Sequence, residues 1–330
     1  MTVTMVTGGA GYIGRVLVDA LRNSGRHVVV VDRLLYGPIS PDLGTSGVDF
    51  IQKDIRDLHG ADLVGVDELF DLAAISTEAA AELLPELTWE VNYAGRRRLA
   101  ELARRAGVGR YILPSSSNVY GSGNPAPYTE DDEVEPHGIY AAANRLAERR
   151  IIRLRTPEFT PIVLRQATVF GWSPCMRYDL VINAMTASLV RGEDCRVMGD
   201  GTQRRPFVWI GDLVRTYLRL LEIPVDRVIA TPINVGSAED DYPIGELPAL
   251  LGEILGVEAT AVTHYGAPDP MSHRLSYRRL WEVTGLSWGS SLTDGVRELA
   301  DRIRHAPEGA DEPSARRAKW LEATWYLPTN

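Results

Sequence analysis

The sequence predicts an α/β protein with a doubly wound parallel sheet and a smaller, mixed C-terminal portion. Three observations predict this fold class. A glycine-rich turn directly follows the first apolar segment, β-branched runs alternate with helical patterns, and 45% of the 330 residues are apolar. Because consecutive parallel strands need a crossover between them, this alternation favours a parallel sheet covered by helices on both faces.

The predicted elements follow one another as strand, helix and strand from the first residues on. A helical pattern lies between two β-branched segments and makes a βαβ unit with them. Two further predicted helices cover VNYAGRRRLAELARRAG, with Gly107 as its C-cap, and residues 139–155. The predicted strands span 2–7, 28–31, 48–51, 68–74, 110–114, 161–168 and, near the end of the sheet, 228–236.

The regular alternation ends near residue 170, where the chain becomes richer in Gly, Pro and Trp. We therefore assign residues 1–170 to the first domain and expect residues 209–238 to complete its sheet. Residues 171–208 and 239–330 form the expected substrate-binding portion. Within the latter range, 306–318 are predicted to be a solvated linker before a tail that contains two tryptophans.

Composition and charge exclude several function classes. The net charge of -9, without a basic stripe, argues against a nucleic-acid partner and favours a small molecule. No stretch approaches the roughly 20 apolar residues of a membrane span, and the N-terminal segment lacks signal-peptide features. Cys175 and Cys195 lack metal-ligand or CxxC spacing, so we expect no metal site, no disulfide and a cytoplasmic protein.

The segment TGGAGYIG predicts a dinucleotide site. Its glycines follow a strand and open a helix, where the backbone can approach a pyrophosphate at the helix N-terminus. Asp32 ends the second strand 18 residues beyond Gly14, where a carboxylate accepts ribose hydroxyls and repels a 2′-phosphate. A Rossmann domain that prefers NAD to NADP is therefore predicted. The residues expected to bind the cofactor here are Gly8, Gly11, Tyr12, Ile13, Gly14, Asp32 and Arg33.

Several ordered motifs together carry a family resemblance. They are TGGAGYIG, KDIRD, FDLAA, VNYAG, PSSSNVYG, YAAAN, VLRQATVFG and QRRPFVWIGDL. The chain resembles the extended short-chain dehydrogenase/reductase family, particularly its NAD-dependent nucleotide-sugar epimerases and dehydratases. The resemblance implies that Asp54 and Ile55 bracket the adenine and that Leu72, Ala73 and Ala74 line the dinucleotide. For Asn92 it leaves two roles open, a cofactor contact and a structural cap.

The resemblance also implies a catalytic set with one departure. Ser116 would polarise the reacting oxygen and Tyr140, 24 residues later, would be the general acid or base. The family's lysine, four residues after the tyrosine, is replaced by Asn144. Of the 35 basic residues only Lys53 and Lys319 are lysines, and the others are arginines. With this bias, a dispensable lysine would be expected to become arginine, so the composition alone does not explain the asparagine. Among the side chains, Arg145, Lys53 and Lys319 are not well placed to substitute, and the positive charge of the NAD pyridinium stays open as another cation that favours tyrosinate.

The substrate side is predicted from the same resemblance. Dehydratases of the family place an Asp-Glu pair after the catalytic hydroxyl, whereas Ser117 and Asn118 stand here, so epimerase or ketoreductase chemistry is favoured over dehydration. The acidic residues at 130–133 are predicted to be a solvated loop rather than catalytic carboxylates. The expected substrate-binding residues are Ser76, Ser116, Asn118, Thr168, Asn183, Arg205 and Arg274.

The leading functional hypothesis is an NAD-dependent nucleotide-sugar epimerase that transiently oxidises a sugar hydroxyl and returns the hydride. One alternative is an NAD(P)H-dependent ketoreductase of a deoxysugar or related metabolite. Another, of a different class, is a redox-silent NAD-bound lyase, isomerase or binding protein. The resemblance further implies a homodimer formed through the helices at 92–106 and 139–155.

The replacement of the lysine predicts a kinetic difference. A free tyrosine has a pKa of ~10, and a nearby ammonium favours its ionised form. Asparagine can hydrogen-bond ribose hydroxyls but carries no charge. From the sequence alone, Asn144→Lys is expected to raise the turnover rate near neutrality, measured as the pH dependence of the rate. An unchanged pH profile would contradict this expectation.

Overall fold

The structure, a computed structural model, describes residues 1–35, 47–124, 126–228, 231–259, 261–266, 271–289 and 291–305. The predicted linker at 306–318 and the tail after it lie outside these ranges. In the described part of the chain, no helix is both long and apolar enough to cross a bilayer.

The strands and helices alternate through the first half of the chain, as the sequence predicts. The strands are β1 Val3–Thr7, β2 His27–Asp32, β3 Val48–Gln52, β4 Glu68–Asp71, β5 Arg110–Ser116, β6 Thr160–Gln166, β7 Thr168–Phe170, β8 Cys195–Met198, β9 Arg204–Trp209, β10 Ile233–Val235, β11 Asp241–Pro243 and β12 Val262–Tyr265. The helices are α1 Tyr12–Asn23, α2 Glu78–Leu83, α3 Pro85–Thr88, α4 Arg96–Ala106, α5 Ile139–Ile152, α6 Val181–Arg191, α7 Ile210–Glu222, α8 Leu247–Leu255, α9 Arg278–Thr284 and α10 Leu292–Arg304.

A parallel sheet forms the centre of the molecule. Its strand order among the described residues is β10-β6-β5-β4-β1-β2-β3, and every neighbouring pair is parallel. The order reverses between β1 and β4, which makes the sheet doubly wound. The predicted fold class is confirmed, and β10 joins the sheet at the edge next to β6.

Two hydrophobic cores cover the two faces of this sheet. Successive residues of a strand point to opposite faces, so Met5 and Val6 enter different cores, as do Leu69 and Phe70. All four side chains are 0% exposed. Helices α1 and α7 pack on one face, and α4 and α5 pack on the other. The burial of both faces explains why the strands read as continuous apolar runs.

Two predicted boundaries shift in the structure. The strand predicted at 68–74 ends at Asp71, and the next residues form a loop at the carboxyl end of the sheet. The helix predicted from VNYAGRRRLAELARRAG is π-helical over Trp89–Gly95 before α4 begins at Arg96. The predicted C-cap is confirmed, because Gly107 adopts a left-handed conformation with φ +87°.

A smaller C-terminal portion is built from short strands and helices. Strand β9 lies between β7 and β11, and β8 pairs with β12. A third hydrophobic cluster joins α6, α8 and α10, with Met185, Leu251 and Val296 among its buried residues. Arg205 on β9 lies opposite Tyr242 on β11, so this portion carries one of the predicted substrate residues on a regular strand.

The acidic run at 130–133 is not wholly a solvated loop, and the prediction for it was wrong at Glu130. The Glu130 side chain is 4% exposed and lies 3.7 Å from Arg279. Its carboxylate accepts a hydrogen bond from the backbone N–H of Asn234 at 2.7 Å. The segment is thereby fastened to β10, a contact between residues 104 positions apart that no local pattern reveals.

A buried ion pair fastens α5 to the sheet. Glu148 and Arg165 are 0% and 1% exposed, and Arg165 Nη2 lies 2.9 Å from Glu148 Oε2. Ser115 on β5 donates to Glu148 Oε1 at 2.6 Å, and the Arg165 guanidinium stacks 4.8 Å from the centre of the Tyr120 ring. The helix that carries Tyr140 is therefore held against β5 and β6 by charge as well as by apolar packing.

This pair gives a stability prediction. Glu148→Ala leaves the Arg165 guanidinium buried without its carboxylate, and removal of one partner of such a pair costs about 3–5 kcal/mol. The double variant Glu148→Leu with Arg165→Met removes both charges and is expected to lose much less. Urea unfolding of the two variants measures the difference. Equal losses would show that the pair has no special role in stability.

Candidate functional site

The predicted site residues gather at the carboxyl edge of the parallel sheet. The glycine turn follows β1, Asp32 ends β2, the loop at 72–74 follows β4 and Ser116 ends β5. Ligands of open α/β sheets bind at this edge, where the strand order reverses. Between β1 and β4, this structure has both the reversal and the glycine turn.

The glycine turn is shaped by close backbone contacts. Gly8 has φ +67°, and a Cβ there would lie 2.8 Å from the backbone N of Ala73. Gly11 donates its N–H to the Gly8 carbonyl at 3.0 Å, and α1 begins at the next residue. A Cβ at Gly14 would overlap the Gly8 carbonyl oxygen. The turn thus presents bare backbone at a helix N-terminus, the arrangement that suits a pyrophosphate.

The end of β2 holds a carboxylate by backbone hydrogen bonds. Asp32 accepts from the N–H of Ala10 at 3.1 Å and from that of Leu34 at 2.8 Å. Burial raises the pKa of Asp32, although these hydrogen bonds and Arg33 oppose the shift. Leu34 has φ +60°, which is unusual for a residue with a side chain. The backbone is thus curled around the carboxylate that we expect to face an adenosine ribose.

Arg33 is paired within the protein. Its Nη1 lies 2.9 Å from Asp54 Oδ2, and the same carboxylate binds Arg56. Burial acts to raise the pKa of Asp54, but the hydrogen bonds and charge of Arg56 and the charge of Arg33 lower it overall. Since Arg33 is held by Asp54 and Asp32 lies beside it, this corner is unfavourable for a 2′-phosphate. The predicted preference for NAD over NADP fits these contacts.

One predicted cofactor residue, Tyr12, is hydrogen-bonded to one predicted substrate residue, Asn183. The Tyr12 hydroxyl donates to the Gly171 carbonyl at 2.7 Å and accepts from Asn183 Nδ2 at 3.1 Å. Asn183 is 0% exposed and also accepts from the N–H of Gly171 at 2.9 Å. These side chains connect α1 to the start of the C-terminal portion. Their contacts to ligands stay predictions.

The loop after β4 is clamped by an asparagine. Asn92 accepts from the N–H of Ile75 at 2.9 Å and donates to its carbonyl at 2.8 Å. Leu72 donates its N–H to the Thr7 carbonyl at 3.1 Å, which keeps the loop against β1. These hydrogen bonds give Asn92 a structural role, and a contact of Asn92 to the cofactor stays a prediction. Ile55 is 3% exposed and packs in the core, whereas Leu72, Ala73 and Ala74 are half-buried at the sheet edge.

The predicted catalytic residues lie on β5 and α5. Ser116 is half-buried, and its Oγ accepts from the N–H of Asn118 at 3.2 Å. Helix α5 begins one residue before Tyr140, and the Glu78 carboxylate accepts from the N–H groups of Tyr140 at 3.0 Å and Ala141 at 2.9 Å. A carboxylate at a helix N-terminus is stabilising. It fixes the turn of helix that carries Tyr140.

The structure reveals a cation that the sequence analysis missed. Arg96, the first residue of α4, is 2% exposed and donates from Nη1 to Asn144 Oδ1 at 2.6 Å. Its Nε donates to the Ala73 carbonyl at 3.3 Å, and Asn144 Nδ2 donates to the Tyr140 carbonyl at 3.0 Å. One signal was available: the aspartate in FDLAA, Asp71, is charged in a buried strand and requires a partner.

The predicted substrate residues form two groups. Ser116, Asn118 and Thr168 lie near the ends of β5 and β6, since Ser116 pairs with Gln166 and Thr168 follows two residues later. Ser76 belongs to the same side of the molecule, and its Oγ accepts from Arg177 Nη1 at 3.1 Å.

The second group lies on the C-terminal portion. Arg205 donates to the Met271 carbonyl, and Arg274 Nε donates to Asp241 Oδ2 at 2.8 Å. Arg204 binds the other oxygen of Asp241 at 3.0 Å. Arg204 and Arg274 thus share one carboxylate, and with Arg205, the neighbour of Arg204 on β9, they form a cationic cluster of the kind that binds phosphate groups. Binding of a ligand there stays a prediction.

A buried histidine lies between these arginines in sequence and beside them in space. His273 is 2% exposed, and its backbone N–H lies 3.4 Å from the Arg204 carbonyl. Burial, with the charge of Arg205, lowers the pKa of His273 to about 3. The imidazole is therefore neutral near pH 7 and adds no charge to the cationic cluster.

Comparison with known proteins agrees with this geometry. The model of the NAD dependent epimerase/dehydratase family matches residues 4–236. A curated relative, UDP-glucuronic acid decarboxylase 6 of Arabidopsis thaliana, is 29% identical over 91% of this chain and 88% of its own length. Decarboxylase 2 of the same plant is 30% identical over 91% of this chain and 68% of its own.

Solved structures show the same fold. MoeE5 in complex with UDP-glucuronic acid and NAD has a TM-score of 0.81 and 30% identity, covering 92% of this chain and 99% of that one. UDP-glucuronic acid 4-epimerase from Bacillus cereus, in complex with UDP-glucuronic acid and NAD, has a TM-score of 0.81 and 25% identity. Its match covers 93% of this chain and 100% of that chain.

His273 gives a prediction for stability against pH. The unfolded chain takes up a proton at this residue near pH 6.5, whereas the folded chain does so only near pH 3. The contribution of His273 to the free energy of unfolding is therefore complete above about pH 6.5. It is lost as the pH falls, at up to about 1.4 kcal/mol per pH unit. His273→Phe should reduce the difference in unfolding free energy between pH 7 and pH 5 by about 2 kcal/mol. Urea unfolding at both pH values measures it.

The exposed residue His305 provides the control for this measurement. Its side chain is 75% exposed, so His305→Gln should leave the pH dependence as in the wild type. If His273→Phe also leaves it unchanged, the imidazole of His273 does not titrate differently on folding.

Proposed function

The chain belongs to the NAD dependent epimerase/dehydratase family, and from this premise we propose that it inverts a hydroxyl-bearing carbon of a UDP-linked hexuronic acid or hexose. It is an NAD-dependent enzyme of the short-chain dehydrogenase/reductase type. The substrate class is supported by the relatives, which are named for UDP-glucuronic acid, and by the MoeE5 complexes with UDP-glucuronic acid and with UDP-glucose. The homodimer and the cytoplasmic location stay predictions.

The residues that would hold NAD are those of the sheet edge. The bare backbone after β1 suits the pyrophosphate, Asp32 suits the adenosine ribose, and Leu72 and Ala73, in the loop after β4, would line the dinucleotide as it crosses the strands. When bound, NAD supplies the acceptor for the hydride and later its donor.

The protein's own groups would manage the proton and the oxygen. Tyr140 would remove the proton of the sugar hydroxyl and return it after inversion. Ser116, at the end of β5, would donate a hydrogen bond to the oxygen as it becomes a carbonyl. The Glu78 cap and the Glu148–Arg165 pair hold α5, so Tyr140 is presented from a rigid helix.

One observation carries the choice of epimerisation: the turn after β5 is neutral. Ser117 is 2% exposed and Asn118 follows it, so the two positions after Ser116 have no acid or base. Two carboxylates from the segments before and after β5, those of Glu78 and Glu130, are already bound to backbone N–H groups. Expulsion of water needs a general acid and a base beside the sugar. Inversion needs only the tyrosine, the serine and the hydride carrier.

A second candidate is decarboxylation of the same substrate class. It is favoured by one specific observation, the names of the curated relatives, which are UDP-glucuronic acid decarboxylases at 27–30% identity. The oxidation step is shared, because a ketone two carbons from a carboxylate allows loss of CO₂ and protonation of the resulting enolate. The two reactions differ in what happens to the ketone before the hydride returns.

A product analysis tests the proposal. Purified protein is incubated with UDP-glucuronic acid deuterated at the oxidised carbon, with and without added NAD, and followed by proton NMR. We expect a hexuronic acid epimer that retains its deuterium, without net formation of NADH. A UDP-pentose with released CO₂ would identify the decarboxylase instead. Stoichiometric use of reduced cofactor would identify a reductase.

Variants test the roles of the two hydroxyl groups. Tyr140→Phe and Ser116→Ala should each lower the turnover rate about 100-fold or more, the usual range for loss of proton transfer or of an oxygen ligand. Arg278→Gln is a matched control, because the Arg278 side chain is 82% exposed and, within the described ranges, its ion pair is with Glu282 on the same helix. Full activity of Tyr140→Phe would refute the assigned mechanism.

A further inference from the structure

The Arg96 guanidinium is bound mainly by neutral groups. Its two side-chain hydrogen bonds among the described residues go to the oxygen atoms of Asn144 and Ala73. The carboxylate beside it, Asp71, lies 3.9 Å from Nε, without the parallel bonds of a close guanidinium–carboxylate pair. A guanidinium that is 2% exposed is costly to bury, and a carboxylate at this distance compensates the cost only in part.

The Arg96 guanidinium is connected to the helical turn that carries Tyr140. It donates a hydrogen bond to the Asn144 side chain, whose amide nitrogen donates in turn to the backbone carbonyl of Tyr140. Asn144 follows Tyr140 by four residues on α5, so the two side chains share one face of this helix. The charge of Arg96 is therefore held at the face of α5 that carries Tyr140.

We propose that Arg96 supplies the positive charge that a lysine at position 144 supplies in related enzymes, and that Asn144 is the spacer that holds the guanidinium in place. Arg96 is in this sense a positioning residue, which acts on Tyr140 through the field of its charge. The inference rests on the proposed role of Tyr140 as the proton carrier. It explains why the chain has lost the lysine and kept the serine and the tyrosine.

The exchange of a lysine for a distant arginine changes the chemistry of the cation. A buried lysine can lose its proton, whereas a guanidinium stays charged at any pH that a protein tolerates. The cation of this site therefore does not titrate. Other titratable or charged groups on the elements around Tyr140 and Arg96 include Asp71 on β4, Glu78 on α2, Tyr93 on the π-helical segment, Tyr111 on β5, Arg145 and Glu148 on α5, and Tyr217 on α7.

The test separates charge from structure with three variants. Arg96→Gln keeps hydrogen-bond donors but removes the charge, and Arg96→Lys keeps the charge. The double variant Arg96→Gln with Asn144→Lys moves the charge to the family's position. The primary readout is the pH titration of tyrosine labelled with ¹³C at Cζ, in which the Tyr140 signal is assigned by its loss in Tyr140→Phe. Turnover against pH and NAD affinity by calorimetry are measured alongside.

We expect Arg96→Gln to move the titration of the Tyr140 signal to higher pH by about one unit or more, a tenfold change in the ionised fraction. Turnover near neutrality should fall at least about tenfold. Arg96→Lys and the double variant should keep most of the wild-type Tyr140 titration and most of the wild-type turnover rate. Arg97→Gln, on the exposed side of the same helix, is the control and should change neither.

Two results would overturn the inference. One is an unchanged Tyr140 titration in folded Arg96→Gln, with only a loss of unfolding free energy, which would make Arg96 a structural residue. The other, decisive if Arg96→Gln does not fold, is a folded double variant whose Tyr140 signal titrates at higher pH than in the wild type. Failure of the proposed function can be told apart from failure of this inference. Full activity of Tyr140→Phe would refute the proposed function, whichever result the Arg96 variants give.

The structure also changes the expectation for the single variant Asn144→Lys. The sequence alone predicts a faster reaction near neutrality, but the new ammonium would lie against the Arg96 guanidinium. Like charges in a buried site are destabilising. We now expect the gain only when Arg96 is neutralised in the same protein, and a faster single variant would contradict the inference.

Discussion

A carboxylate buried at the end of a central strand must find its partners inside the protein, and Asp71 is that carboxylate. It is 0% exposed, accepts hydrogen bonds from Thr7 on β1 and Tyr111 on β5, and lies 3.9 Å from Arg96 on α4. Burial raises its pKa, against the lowering effect of Arg96 and the two hydroxyl groups. Through Arg96 the connection continues to Asn144 on α5. One charge thus ties three adjacent strands to the two helices that frame the site.

In the described part of the chain, two buried ion pairs lie on this face of the sheet, and they are built differently. Glu148 and Arg165 are in close contact, with further hydrogen bonds from Ser115 and Arg145, so their charges are satisfied locally. Asp71 and Arg96 are farther apart, and the short bond of the arginine goes to an amide. The first pair anchors a helix, whereas the second leaves part of a charge available to the site.

Structural features that are determined by neighbouring residues in the chain can be predicted from the sequence. The glycine turn, Asp32 at the end of β2 and the Gly107 cap are set by local backbone requirements, and they were predictable for that reason. Arg96 was not predicted, because its partner Asn144 lies 48 positions away. Glu130 was wrongly predicted to be solvated for the same reason. Charged side chains look alike in sequence whether they face water or a partner from a distant element.

Tyr12 is both the first residue of the helix that supports the glycine turn and a hydrogen-bond partner of Gly171 and Asn183. The two portions of the chain are therefore connected by buried hydrogen bonds as well as by apolar contacts. In recombination between relatives, a substrate portion carried over without matching partners for this phenol would leave a buried hydroxyl and a buried amide unsatisfied. An exchange of portions between relatives would therefore have to keep Tyr12 and Asn183 together.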